Sequence, residues 1–160
     1  MKYLLFLIPL LLIACSPTTT PEPDTPRQEI IATRGGDVMP FDLDKTMHIF
    51  ENLPNGGLQT VHAKDDQDTT QISLIQTHLQ EEAARFQQGD FSDPAHIHGD
   101  MMPGLATLQD NAADITITYT PLDNGGQILY TAEDDLLITA IHDWFNAQLS
   151  DHGQHAIQDH

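Results

Sequence analysis

The chain has 160 residues, enough for one domain, with 24 Asp+Glu against 6 Lys+Arg and a formal net charge of −18. Such a surface repels nucleic acid and anionic headgroups and attracts cations, so nucleic-acid partners are excluded. A single cysteine, Cys15, excludes disulfides and thiolate metal clusters within the chain.

Residues 1–14 read as an export signal. Lys2 supplies the positive start, and Leu4–Ile13 is a ten-residue apolar run, too short to hold a bilayer span. Leu12-Ile13-Ala14-Cys15 resembles a bacterial lipobox, in which Cys15 is lipidated (palmitate among its acyl chains) and begins the mature protein. The expected location is the cell envelope, anchored to a membrane by those acyl chains and facing the periplasm or exterior. Removing Lys2 takes the mature chain to about −19, which keeps a protein soluble in a saline exterior and also enriches cations around it.

Ser16–Gln28 has four prolines, four threonines and no large apolar residue. It reads as an extended tether, with residues 15–29 outside the folded part. A single α+β domain is expected over 30–155. Arg34-Gly35-Gly36-Asp37 reads as a turn. Thr46–Glu51 and Leu58–Ala63 flank an Asn-Gly-Gly reversal and form a hairpin. Asp68 with Gln71 is a capping-box pattern, and Ile72, Ile75, Leu79, Ala83 and Phe86 recur at helical spacing.

The plan then returns. Asp114–Thr120 alternates polar and apolar residues, Asp123-Asn124-Gly125-Gly126 turns, and Gln127–Ala132 runs back. A helix follows, with Leu137, Ile138, Ile141, Phe145 and Leu149 along one side and Gly153 as its C-cap. The turns match at an offset of 69 residues and the helical stripes at 66, so the chain writes one ββα unit twice, over 46–89 and 114–153. The expected result is a four-stranded antiparallel sheet with two helices on one face. Residues 156–160 read as an exposed tail.

The repeat places His48 opposite Ile117, on the inward face of its strand. A buried histidine needs a hydrogen-bond partner or a metal. Between the units, 90–113 forms a loop rich in His and Met, with His96, His98, Asp100, Met101 and Met102. If that segment is extended, His96 and His98 point the same way. With nine histidines and no thiolate available, the ligand set for a transition-metal ion (zinc or copper) is His98, His48, His142, His152 and Met102. Trp144 is read as covering the sheet edge and His78 as a surface histidine, while His152 and His155 follow the second helix. No nucleophile elbow or phosphate loop is present, and no catalytic residue or organic cofactor is assigned.

Met39-Pro40-Phe41-Asp42, Glu81-Glu82-Ala83-Ala84-Arg85-Phe86, Gly89-Asp90-Phe91-Ser92-Asp93-Pro94, Ile97-His98-Gly99, Met102-Pro103-Gly104 and Asp151-His152-Gly153 resemble a small family of uncharacterised exported bacterial proteins. That family is often labelled aspartate carbamoyltransferase. The resemblance implies an exported domain spanning most of the mature chain. The chain lacks the Ser-Thr-Arg-Thr and His-Pro-x-Gln segments of true carbamoyltransferases and is about half their length. Carbamoyltransferase activity is therefore not expected, and the resemblance lends no mechanism. The expected function is an envelope binding protein for a transition-metal ion. Two alternatives remain open: a module that docks an envelope protein, and a small enzyme using His98 as general base.

Overall fold

The computed structural model describes residues 25–159. The expectations for the signal segment, for acylation of Cys15 and for most of the tether lie outside the described residues, as does His160. Within them the chain is α+β, with five helices and one five-stranded mixed sheet.

Helix α1 spans Pro26–Val38 and overturns the expected tether end and the turn at 34–37. Thr25 and Gln28 cap it reciprocally, and Pro26 stands at its start, where the missing N–H costs nothing. Strands β1 (Thr46–Leu53) and β2 (Gly56–Ala63) form the first hairpin, followed by α2 (Thr69–Phe86). The Asp68 side chain caps α2 by accepting from the Gln71 N–H, but the capping box is incomplete. The Gln71 side chain turns away and accepts from the Asp42 N–H at 2.8 Å instead.

The segment expected to be a loop contains two short helices, α3 (Ser92–His98) and α4 (Leu105–Asp110). Gly104 precedes α4 at φ +77, and a Cβ there would lie 2.1 Å from the Ala140 carbonyl oxygen, so this turn needs glycine both for its dihedral and for its approach to the last helix. Then come β3 (Ile115–Leu122), β4 (Gly125–Ala132), α5 (Asp135–His152) and β5 (Ala156–Asp159).

Strand order is β3-β4-β2-β1-β5. The four strands of the two hairpins are antiparallel, as expected. The fifth is a correction: residues 156–159 are not a free tail but pair parallel to β1, with His48 beside Ala156. The outer edge of β1 otherwise exposes a row of unpaired backbone groups, and β5 satisfies them.

The two units meet about the Gln59–Ile128 pair in the centre of the sheet, and those residues are themselves equivalents at the 69-residue offset. The Ala132 N–H donates to the Asn55 carbonyl in the first turn, and the Ala63 N–H donates to the Asn124 carbonyl in the second. Both long helices lie on one face, and each crosses to the other unit's hairpin: α2 packs over β3 and β4, α5 over β2 and β1. Glycine permits both crossings, since a Cβ on Gly57 would stand 2.4 Å from Phe145 and one on Gly126 3.2 Å from Leu79. The core fills this face with Phe50, Val61, Ile75, Leu79, Ile128, Tyr130, Ile141, Trp144 and Phe145. The opposite face is half-exposed, with Thr116, Thr118 and Thr120 open to solvent. Among the described residues no helix is long and apolar enough to cross a membrane.

Candidate functional site

A cavity of about 50 Å³, room for a few water-sized groups, is lined by residues of α2, α3, α5 and the sheet. The sheet supplies His48, Gln59 and Ile128 to its walls. Helix α2 supplies His78, Glu82 and Phe86, and α5 supplies Trp144, Gln148 and His152. Short helix α3 closes one side with Asp93, Pro94, Ile97 and His98. At the 66-residue helix offset His78 answers Trp144, Glu82 answers Gln148, Arg85 answers Asp151 and Phe86 answers His152. The cavity therefore sits where the two units meet, and each lends it the same helix positions with different chemistry.

The α5 side is built of imidazoles. His98, at the end of α3, donates from Nδ1 to the Asp151 carboxylate at 2.8 Å, which leaves Nε2 as the nitrogen with a lone pair. Asp151 is itself gripped by Arg27 of α1, whose Nε and Nη2 approach its two oxygens at 2.5 and 2.6 Å. The same guanidinium reaches the His98 carbonyl at 3.3 Å. Burial lowers the pKa of His98 despite the opposing pull of Asp151. Gln148, one turn before His152, accepts from His152 Nε2 at 3.2 Å and also lies in hydrogen-bonding reach of His98. Burial holds His152 well below the ordinary histidine range, and its imidazole neighbours push the same way.

His48 completes the group. Its ring lies parallel to that of His152, centroids 5.1 Å apart, while the His98 ring meets His152 edge-on at 5.0 Å. Burial and nearby histidines bring the His48 pKa down to about 4, against a weaker opposing bond from the His155 backbone. That bond falls on Nε2, because Nδ1 is buried with no hydrogen-bond partner. Trp144 Nε1 is the other buried polar side-chain atom without a partner among the described residues, and Trp144 is one of the residues that line the cavity. Leaving such a group unmade costs about 1–3 kcal/mol, so a further partner for either atom would be stabilising.

The α2 side is acidic. One guanidinium, Arg85, faces three carboxyl groups: Glu82 at 2.9 Å, Asp93 at 2.5 Å and Asp90 at 3.0 Å. One cation cannot neutralise three anions, and Glu82, the most buried, keeps its proton. Burial and the Asp93 charge raise its pKa to about 8, and it hydrogen-bonds to Asp93. The contact between Arg85 and Glu82 is therefore a hydrogen bond to a neutral acid rather than an ion pair. Helix α3 spans both sides, held at its start by Asp93 on Arg85 and at its end by His98 on Asp151.

Of the five expected metal ligands the structure brings three together, His48, His98 and His152. His142 stands apart, its Nε2 on the Leu53 and Gly56 carbonyls at 3.0 and 2.8 Å, where it secures the first hairpin turn. Met102 is buried in the core and does not line the cavity. His96 and His98 do not point the same way, because the segment is helical; His98 is buried and His96 exposed. Trp144 is fully buried at the centre of an aromatic group with Phe86, Phe91, Tyr130 and Phe145, not at the sheet edge. His78 is not a plain surface histidine either, since its ring packs edge-on against Phe41 at 5.6 Å and lines the cavity.

Arg27, Glu82, Gln148 and Asp151 were missed by sequence reasoning. The helix offset held the signal: carried past the apolar stripe, it aligns Glu82 with Gln148 and Arg85 with Asp151. Among the described residues no group of three or more His, Cys, Asp or Glu side chains is already disposed to hold a metal ion. The reason lies in the stack. Parallel rings direct their in-plane lone pairs side by side, so a shared ion requires one ring to turn.

No protein-family model matches the chain, and no curated protein or solved structure is significantly similar to it. The chemistry of the site thus rests on its own residues.

Proposed function

We propose that the protein is a lipid-anchored binding protein of the bacterial cell envelope that takes a transition-metal ion, zinc or copper, on His48, His98 and His152. The observation that carries this is the buried, unpartnered Nδ1 of His48 beside two further imidazoles. Imidazole nitrogen suits both metals. Asp151 behind His98 is the carboxylate–histidine arrangement that orients a ligating ring and raises its basicity. Binding turns His152 out of its stack on His48, at the cost of its long bond to Gln148. The lipobox-like Leu12–Cys15 supports the location, and acyl chains on Cys15 are the proposed membrane contact.

The test uses mature protein free of any histidine tag, with metal content by elemental analysis and thermal shifts with zinc and copper. Alanine at His48, His98 or His152 abolishes the shift, and His142→Ala leaves it intact. Absence of metal and of any shift in the unaltered protein removes the proposal.

A second reading, a small hydrolytic or proton-transfer enzyme, is favoured by one arrangement. His98 is oriented by Asp151 as a general base requires, and Glu82, a proton-carrying acid, faces the same cavity. Under that reading Glu82→Gln abolishes turnover, whereas under the first it leaves metal affinity within about threefold, a difference under ~1 kcal/mol.

A further inference from the structure

The acidic side of the cavity is short of positive charge. Glu82 and Asp93 both line it and share a hydrogen bond. Arg85, the guanidinium that serves them, is not a lining residue, and no other Lys or Arg among the described residues is one either. Asp90 draws on the same guanidinium from outside the cavity. Tyr130 of β4 feels the Glu82 charge and, as a neutral phenol, answers none of it. The proton kept on Glu82 stands where a second cation is missing.

A separate observation points the same way. His48 is only 4% exposed and lines the cavity, and its ring donates to the His155 backbone from Nε2. Its partnerless Nδ1 is therefore an acceptor, and wants a donor. His78, another lining residue, is close enough to influence both His48 and Asp93. The cavity thus offers an ionised carboxylate, a carboxyl that can ionise and an imidazole lone pair. Its aromatic lining, Phe41, Phe86 and Trp144, favours a cation over an anion.

We propose that the metal-free cavity binds a small ammonium cation, ammonium itself or methylammonium, on the Glu82 and Asp93 carboxyl groups, with His48 Nδ1 as a further acceptor. Every N–H of such an ion is a donor, and its charge is the one the acids lack. As it enters, Glu82 gives its proton to solvent. Cation replaces proton, and the net charge inside the cavity does not change. That exchange offsets much of the cost of bringing a charge out of water. A volume of about 50 Å³ admits an ion of one or two heavy atoms and excludes a quaternary amine. No metal takes part, so this binding stands or falls apart from the metal reading.

The experiment titrates the full mature chain, treated with a chelator, with methylammonium chloride by calorimetry. Ionic strength is held constant with sodium chloride, and two buffers of different ionisation enthalpy count the protons. Binding saturates and releases about one proton per ion at pH 7, and affinity rises between pH 6 and 8 as Glu82 becomes easier to ionise. Glu82→Gln cannot ionise. It binds methylammonium at least tenfold more weakly, as loss of a hydrogen bond to a charged group predicts, with no proton release and no pH dependence. Tetramethylammonium has the charge but no N–H and too much bulk, and does not bind. No saturable heat, or an equal response to tetramethylammonium, means at most adventitious attraction to the acidic surface and overturns the proposal. Unchanged methylammonium affinity in Glu82→Gln overturns it as well. Each of these outcomes leaves the metal reading standing, since that is read from zinc and copper alone.

Discussion

The two ββα units share a plan and part company in one place. At equivalent helix positions α2 carries His78, Glu82, Arg85 and Phe86, and α5 carries Trp144, Gln148, Asp151 and His152; all of these but Arg85 and Asp151 line the cavity. Around Arg85 one cation serves three acids, so a proton stays on Glu82. Around Asp151 one acid serves a guanidinium and an imidazole, and no excess charge is left over. Equivalent backbone thus holds opposite electrostatics. The scaffold constrains where side chains meet, and leaves free what they do there.

The largest break in this comparison comes from the Trp144 and His78 pair. Trp144→Ala empties the aromatic centre and costs about 3–5 kcal/mol by urea unfolding. His78→Ala, at the equivalent position on the partly open side, costs about 1 kcal/mol or less.

The acidic side is tested by pH. The folded-state pKa of Glu82, about 8, lies above its ordinary 4.5, so the native state holds a proton that the unfolded chain has released. That contribution to stability is full below about pH 4.5 and is lost as pH rises through about 8. Asp93 and Arg85 face this group, Asp90 and Tyr130 feel its charge, and Asp90, held at about 2, adds stability that fades only in strong acid. Glu82→Gln keeps a donor for Asp93 and an acceptor for Arg85 without the titration. Its Tm between pH 5 and 8 is flatter than that of the unaltered protein, with the gap widening in the variant's favour by about 5 °C. Parallel curves would show that Glu82 is ionised in the folded state.

On the imidazole side, Asp151→Asn leaves Arg27 without its anion and His98 without its orienting acceptor. Because Arg27 is 58% exposed, solvent replaces much of that contact, and the cost is about 1–2 kcal/mol. Under the proposed metal-binding reading, affinity for zinc or copper by calorimetry falls about 10–100-fold. A small effect of the same order as at His78 is expected at His142, where alanine loses the bonds to the hairpin turn and about 1 kcal/mol of stability.

Much of this fold was legible before any coordinates. Alternation in Ile115, Ile117 and Tyr119 and the stripe from Ile72 to Phe86 give strands and helices directly, because period 2 and period 3.6 follow from where Cβ atoms point. The repeat also put His48 inward. What stayed hidden depends on long-range contact. The crossing of each helix onto the other hairpin has no local signature. Strand β5 is only four residues long, and its pairing is decided by the open edge of β1. Helix α1 hid behind its proline and paired glycines, although Thr25-Pro26-Arg27-Gln28 carried a capping signal. His-x-His misled because its reading depends on extended backbone, and α3 is helical. His142 and Met102 were chosen by chemistry alone, and the fold gives them other work.

The last strand has a practical corollary for anyone purifying this protein. Ala156 lies in register with His48, and β5 ends one residue short of the chain's final histidine. An affinity handle fused at the carboxyl end would hang from the seam that flanks the cavity and, if made of histidines, would flood any metal titration with competing rings. At the other border Arg27, at the start of α1, reaches Asp151. A cleavable solubility partner removed before assay keeps both borders of the site as the sequence wrote them.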